Sequence, residues 1–124
     1  MAKHNDLGLK GEQIARRYLA GKGYRIIVSN WRHGRAEIDL IADFENTLIF
    51  VEVKTRSSSE FGQPDEFVGP KKEQQLAKAA CAYMDQVRYQ GEIRFDIVAI
   101  LLPPQASAEV NHIQDAFFPG VGWD

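Results

Sequence analysis

The sequence predicts an α/β fold: a helix–three-strand–helix–strand core in which helices flank a mixed β-sheet. Three observations predict it. Two stretches repeat apolar residues at the three- and four-residue intervals of a helix. Several β-branched, period-two runs lie between and after them, bounded by Gly, Pro and polar residues. The chain has 124 residues, enough for one domain with a modest core.

Asn5 or Asp6 is suited to cap the first helix, along which Leu7, Ile14, Ala15, Tyr18 and Leu19 share a stripe and which "GKGY" ends. Glu12 lies near the edge of that stripe. Residues 24–28, "YRIIV", read as a strand, followed by an irregular "SNWRHGR". Residues 36–43 and 48–54 read as two strands of a hairpin around "FENT".

The polar segment from Thr55 to Gly69 reads as a long loop, and Pro70 suits the first position of a second helix. Leu76, Ala80, Tyr83, Met84 and Val87 form its apolar face, and Gly91 marks its end. "IRFDIVAILL" reads as a buried strand stopped by Pro103 and Pro104. "AEVNHIQDAF" adds an edge strand, and "FPGVGWD" reads as a tail. The expected organisation is one domain over residues 1–118 and a C-terminal tail at 119–124.

Net charge is −2, but it is unevenly spread: residues 1–56 carry +3 and residues 57–124 carry −5. A basic surface around an acidic cluster fits this split, with Arg16, Arg17, Lys22, Arg25, Arg32 and Arg35 as a possible phosphate track. One cysteine, Cys81, excludes an intrachain disulfide framework and reads as an inert buried thiol. His4, His33 and His112 are too dispersed for a zinc signature. The start lacks a signal-peptide core and no apolar run spans a bilayer, so a cytoplasmic protein without membrane contact is expected.

The stretch "AEIDLIADFENTLIFVEVKTR" carries the chemistry. Charges inside a sheet are costly unless paired or bound. The register facing Leu40 to Val51 and Ala42 to Ile49 keeps one apolar face continuous. It sets Asp39 opposite Glu52 and Glu37 opposite Lys54. Opposed carboxylates at roughly 4.5–5.5 Å repel unless a proton or cation lies between them. An oxygen-rich, carboxylate-bearing site that leaves room for water suits Mg²⁺. Lys54 is placed to hold a water or to stabilise charge on a phosphate, and Arg56 to reach a phosphate. The competing interpretation is a cross-strand salt-bridge cluster with Glu37 and Lys54 as a pair. Trp31 is expected to close the sheet.

These residues resemble the PD-(D/E)xK nuclease motif, with Asp39 and Glu52-Val53-Lys54 on a restriction-endonuclease-like core. More closely, "GLKGEQIARRYLAGKGYRIIVSNWR", "AEIDLIA", "LIFVEVKTRSSSEFG", "VGPKKEQQLAKAACAYM", "RFDIVAI" and "HIQDAF" resemble the bacterial YraN family, similar in fold to archaeal Holliday-junction resolvases. The resemblance implies Asp39, Glu52, the Val53 carbonyl and Glu12 as metal ligands and Lys54 as the catalytic lysine. Glu37 belongs to the family's "GEIDLIA" signature, where this chain has Ala36 in place of the glycine.

Arg32, Arg56, Lys71 and Lys72 are candidate nucleic-acid contacts, and Gln74 a supporting residue. The expected function is Mg²⁺- or Mn²⁺-dependent cleavage of DNA, with branched or structured DNA in view and RNA not ruled out. The alternative is a nucleic-acid- or protein-binding module that keeps the fold without turnover. A homodimer suits two-fold substrates.

Overall fold

The computed structural model describes residues 2–57 and 69–117, with side chains from Asp6 onward. The tail at 119–124 and most of the polar loop after Arg56 lie outside the described residues. The elements are α1 (Ala2–Gly21), β1 (Arg25–His33), β2 (Ala36–Phe44), β3 (Thr47–Arg56), α2 (Pro70–Val87), β4 (Glu92–Leu101) and β5 (Glu109–Ile113). The predicted α/β order is borne out, including the edge strand.

The strands form one sheet in the order β1-β2-β3-β4-β5. β3 and β4 are parallel, joined through α2, and the other neighbours are antiparallel. On one face Ala15 and Leu19 of α1 pack with Leu40, Ala42, Ile49, Val51, Val98 and Ile100. On the other, Leu76, Ala79, Ala80 and Tyr83 of α2 pack with Ile38, Ile41, Phe50, Phe95 and Ile97. Trp31 joins this second core, its ring edge-on to Tyr83. Burial on both faces explains the nearly continuous apolar runs of β3 and β4.

Several boundaries differ from the sequence reading. α1 already runs from Ala2, so Asn5 and Asp6 lie within the helix rather than capping it. It closes in a Schellman turn: Tyr24 N–H donates to Leu19 O and Gly23 N–H to Ala20 O, with Gly23 at φ 97°. α2 begins at Pro70 as expected but ends before Gly91, because Arg88 itself takes the left-handed conformation at φ 59°. Val87 is 46% exposed rather than part of the apolar face.

"SNWRH" belongs to β1, which continues to His33 with a local irregularity at Asn30 and turns at Gly34-Arg35 onto Ala36. Ala36 pairs with His33 and has no positive φ, so glycine is not needed there. The β2–β3 turn is Glu45-Asn46, with φ 51° and 64°, the doubly left-handed turn that matches strand twist.

A polar knot fastens β4 and β5 to the α1 face. Asp96 is fully buried. It accepts from Arg94 Nε at 2.8 Å, Arg94 Nη2 at 2.9 Å and the Asp115 N–H at 3.0 Å. His112 Nε2 lies 2.7 Å from its Oδ2, and Arg94 Nη2 also reaches the Tyr24 hydroxyl at 2.6 Å. Burial alone would raise the Asp96 carboxyl, but hydrogen bonds from His112, Arg94 and Asp115, with the Arg94 charge, hold it below the usual range.

Such a group stabilises the fold above its unfolded pKa, and that stability is lost as pH falls through the folded pKa. Asp96→Asn is therefore expected to cost about 3 kcal/mol at pH 7, the scale of breaking a buried pair. Urea unfolding should show this deficit shrinking in acid.

Candidate metal and nucleic-acid site

The expected register holds over Leu40–Val51, Ile41–Phe50, Ala42–Ile49, Asp43–Leu48 and Phe44–Thr47. There the β2–β3 ladder stops, and Asp39 and Glu52 are not a ladder pair. Instead Asp39 Oδ2 accepts the Val53 N–H at 2.7 Å. On its other side, β2 pairs Leu40 with Ser29 and Ile38 with Trp31 in one register, while Asn30 and Asp39 between them form no ladder pair. Asn30 is left-handed at φ 54°. Alternation fails at this break: Ile38 and Ile41 both join the α2 core, while Leu40 joins the α1 core. The continuous apolar face expected through Ile38 is therefore corrected. A sheet buried on both faces can accept Ile38 on either.

Where the strands part, an open cavity of about 960 Å³ is lined by Glu12, Asn30, Arg32, Glu37, Asp39, Val53, Lys54 and Arg56, with Leu7, Leu9 and Thr55 among its other walls. Asn30 Nδ2 donates to Glu37 Oε2 at 2.8 Å and to Glu12 Oε1 at 3.2 Å. Glu37 also lies 3.6 Å from Arg32 Nη2. The expected Glu37–Lys54 pair is thus replaced: Glu37 meets Asn30 and Arg32, and Lys54 Nζ lies 3.4 Å from Glu52 Oε2.

Glu52 is 5% exposed and does not line the cavity. Its Oε2 is also 3.4 Å from Lys72 Nζ on α2, and its buried Oε1 has no hydrogen-bond partner among the described residues. Lys72 is therefore engaged with Glu52, whereas Lys71 and Gln74 are exposed and lie outside the cavity wall. Of the proposed phosphate track, Arg25 pairs with Asp43 at 2.9 Å and Arg16 donates to Ser29.

Asp39 is the electrostatic focus. Burial, then the Glu52 charge, push its carboxyl up; the Val53 N–H pulls it down, and Glu37 and Glu12 add to the rise, leaving it at about 7. Among the described residues, no three His, Cys, Asp or Glu side chains form a ready metal cage. The acids instead meet Asn30, Arg32, Lys54 and Lys72.

Residues 11–100 match a family model described as "Uncharacterised protein family UPF0102". The chain belongs to the UPF0102 family. It is 52% identical over 118 residues to a UPF0102 protein of Christiangramia forsetii, covering 95% of this chain and 98% of that one. A UPF0102 protein of Flavobacterium psychrophilum is 48% identical with the same coverage. One of Bacteroides thetaiotaomicron is 43% identical over 119 residues, covering 96% of this chain and 98% of its own. The UPF0102 match spans Glu12, Asp39, Glu52 and Lys54, all of which the sequence singled out. The YraN resemblance is supported to this extent.

Sequence reasoning missed Asn30, whose one signal is that asparagine tolerates the left-handed backbone inside a strand-like run. It also missed the burial of His112 against Asp96. No helix among the described residues is long and apolar enough to cross a membrane.

The Asp39 shift has a testable sign. Between its ordinary value near 3.8 and about 7, the folded chain holds a proton that the unfolded chain has released. Stability contributed by this group therefore falls as pH rises through that window. Asp39→Asn keeps an oxygen for the Val53 N–H but removes the charge. In urea titrations with chelator present, it is expected to gain on wild type from pH 5 to pH 8; a constant difference would refute the shift.

Proposed function

We propose that this chain is a Mg²⁺- or Mn²⁺-dependent DNA endonuclease of the PD-(D/E)xK type, acting in the cytoplasm on branched or structured DNA. The observation that carries this reading is Asp39: a carboxyl raised to about 7 by burial and three neighbouring acids, in a cavity walled also by Lys54, Arg32 and Arg56. Such a group takes up either a proton or a cation.

The donors fit a hard cation. They are oxygens throughout, and Glu52 keeps a buried oxygen without a hydrogen-bond partner among the described residues. Asp39, Glu52, Glu12 and the Val53 carbonyl would hold the ion. When bound, it supplies Lewis-acid polarisation of a phosphate and lowers the pKa of water. Asp39 stays fixed by the Val53 N–H, so its carboxylate needs little reordering. Lys54 orients the attacking water and stabilises charge growing on the phosphoryl oxygens. Arg32 and Arg56 border the cavity where a phosphate backbone would approach.

A binding module without turnover is the second reading. It is favoured by the engagement of Glu52 with two lysines and of Glu12 and Glu37 with Asn30. Tight, salt-sensitive DNA binding without cleavage would select it.

Linear, supercoiled, flapped and four-way DNA, with RNA counterparts, should be incubated with the protein and Mg²⁺ or Mn²⁺. Cleavage of a DNA substrate is expected, with Asp39→Ala and Lys54→Ala each reducing it by about 100-fold or more. Equal cutting by wild type and Asp39→Ala would end the assignment. Calorimetric titration with Mn²⁺ should give heat that Glu52→Ala abolishes. Size and cleavage symmetry on four-way DNA would report whether a homodimer acts.

A further inference from the structure

Glu12 reaches the cavity from a helix, while Glu37, Asp39 and Lys54 come from strands. Two separate contacts determine where it lies. The first is under the helix. α1 approaches β3 so closely that a Cβ on Gly11 would sit 1.9 Å from Thr55 Oγ1 and 2.8 Å from Thr55 Cβ and Cγ2. Gly11 is buried and lies inside α1, where glycine is disfavoured relative to alanine. The close approach accounts for that choice. It sets the height of the helix above the sheet one residue before Glu12 and one residue after Lys54.

The second contact is at the carboxylate. Asn30 Nδ2 donates to both Glu12 and Glu37, at 3.2 and 2.8 Å. An amide nitrogen carries two hydrogens, so one group serves both acids. Asn30 is aimed there by its left-handed backbone at the break opposite Asp39. It holds together two like charges that would otherwise separate.

We propose that Gly11 and Asn30 are positioning residues that deliver Glu12 to the Asp39 side of the cavity. Gly11, resting on Thr55, places the Glu12 backbone, and Asn30 directs its carboxylate toward a divalent cation. The cation part of this inference rests on the metal-site reading above; the placement does not.

The test uses Gly11→Ala, the double variant Gly11→Ala/Thr55→Gly, and Asn30→Ala. The three atoms nearest the added Cβ all belong to the Thr55 side chain, so the double variant removes the clash while keeping the alanine. Two measurements separate placement from metal chemistry. In metal-free protein, the Asn30 side-chain amide signals in a proton–nitrogen spectrum report its two carboxylate partners. Calorimetry with Mn²⁺ alone reports the cation.

Gly11→Ala is expected to shift the Asn30 signals and raise the Mn²⁺ Kd about tenfold, the scale of losing a residue that orients a ligand. The double variant should restore both, a recovery that general loss of stability would not give. Asn30→Ala should raise the Kd by a similar factor with the α1 backbone signals unmoved. Unshifted Asn30 signals in Gly11→Ala, or no recovery in the double variant, would overturn the placement. An unchanged Kd in both single variants would overturn the link to the cation. If wild type binds no Mn²⁺, the metal-site reading fails, and the Asn30 signals alone decide the placement.

Discussion

The contact between the Asp39 carboxylate and the Val53 N–H governs the middle of this molecule. A buried backbone donor must find an acceptor. At this point the acceptor is a side chain rather than a neighbouring strand, at 2.7 Å. The sheet can therefore come apart between β2 and β3 without leaving this donor unpaired. The cavity, the transfer of Ile38 to the α2 core and the exposure of Asn30 all accompany that break. Asp39 is thus held by the fold through Oδ2 while lining the cavity.

Two aspartates show how partners set the charge of a buried acid. Asp96 is sealed in the interior, yet it has a guanidinium, an imidazole and a backbone N–H, and its carboxyl stays below the usual range. Asp39 has one N–H and the charges of Glu52, Glu37 and Glu12, and it rises to about 7. Burial acts the same way on both; the partners decide the sign. An acid left unsatisfied by folding is a site candidate. Glu52 follows this pattern in part, with one oxygen near two lysines and the other without a hydrogen-bond partner among the described residues.

Much of this was legible in the sequence because burial constrains it. Alternation of Leu40, Ala42, Ile49 and Val51 was enough to set the hairpin register, and Pro70 located the start of α2. Parity also put Glu37, Asp39, Glu52 and Lys54 on one side. Glu37, Asp39 and Lys54 line the cavity and Glu52 does not, while Glu12, which lines it too, was implied only by the family resemblance. What alternation could not show was its own interruption. Asn30 and Asp39 leave the ladder together, and a rule that assumes an unbroken pleat extends the register past them and pairs Glu37 with Lys54. Asp96 was hidden for the opposite reason: an acid within "IRFDIVAILL" reads as part of a buried run until Arg94, His112 and Tyr24 are seen around it. Arg88 ended α2 in a conformation usually left to glycine, so Gly91 drew the boundary too far.

The single parallel pairing has a consequence for how the molecule forms. β1, β2 and β3 follow one another through two-residue turns and close over short distances in the chain. β3 joins β4 by pairing each residue with one 45 positions on, from Thr47 with Glu92 to Arg56 with Leu101. Loop-closure entropy makes that the expensive contact. Glu12, Glu37, Asp39 and Glu52 all precede it in the chain. During synthesis the chain thus carries its whole complement of repelling acids before it has the strand that braces them. The acids that repel one another are therefore all carried by the first half of the chain, while the parallel strand that flanks Glu52, through Ile97, is supplied by the second.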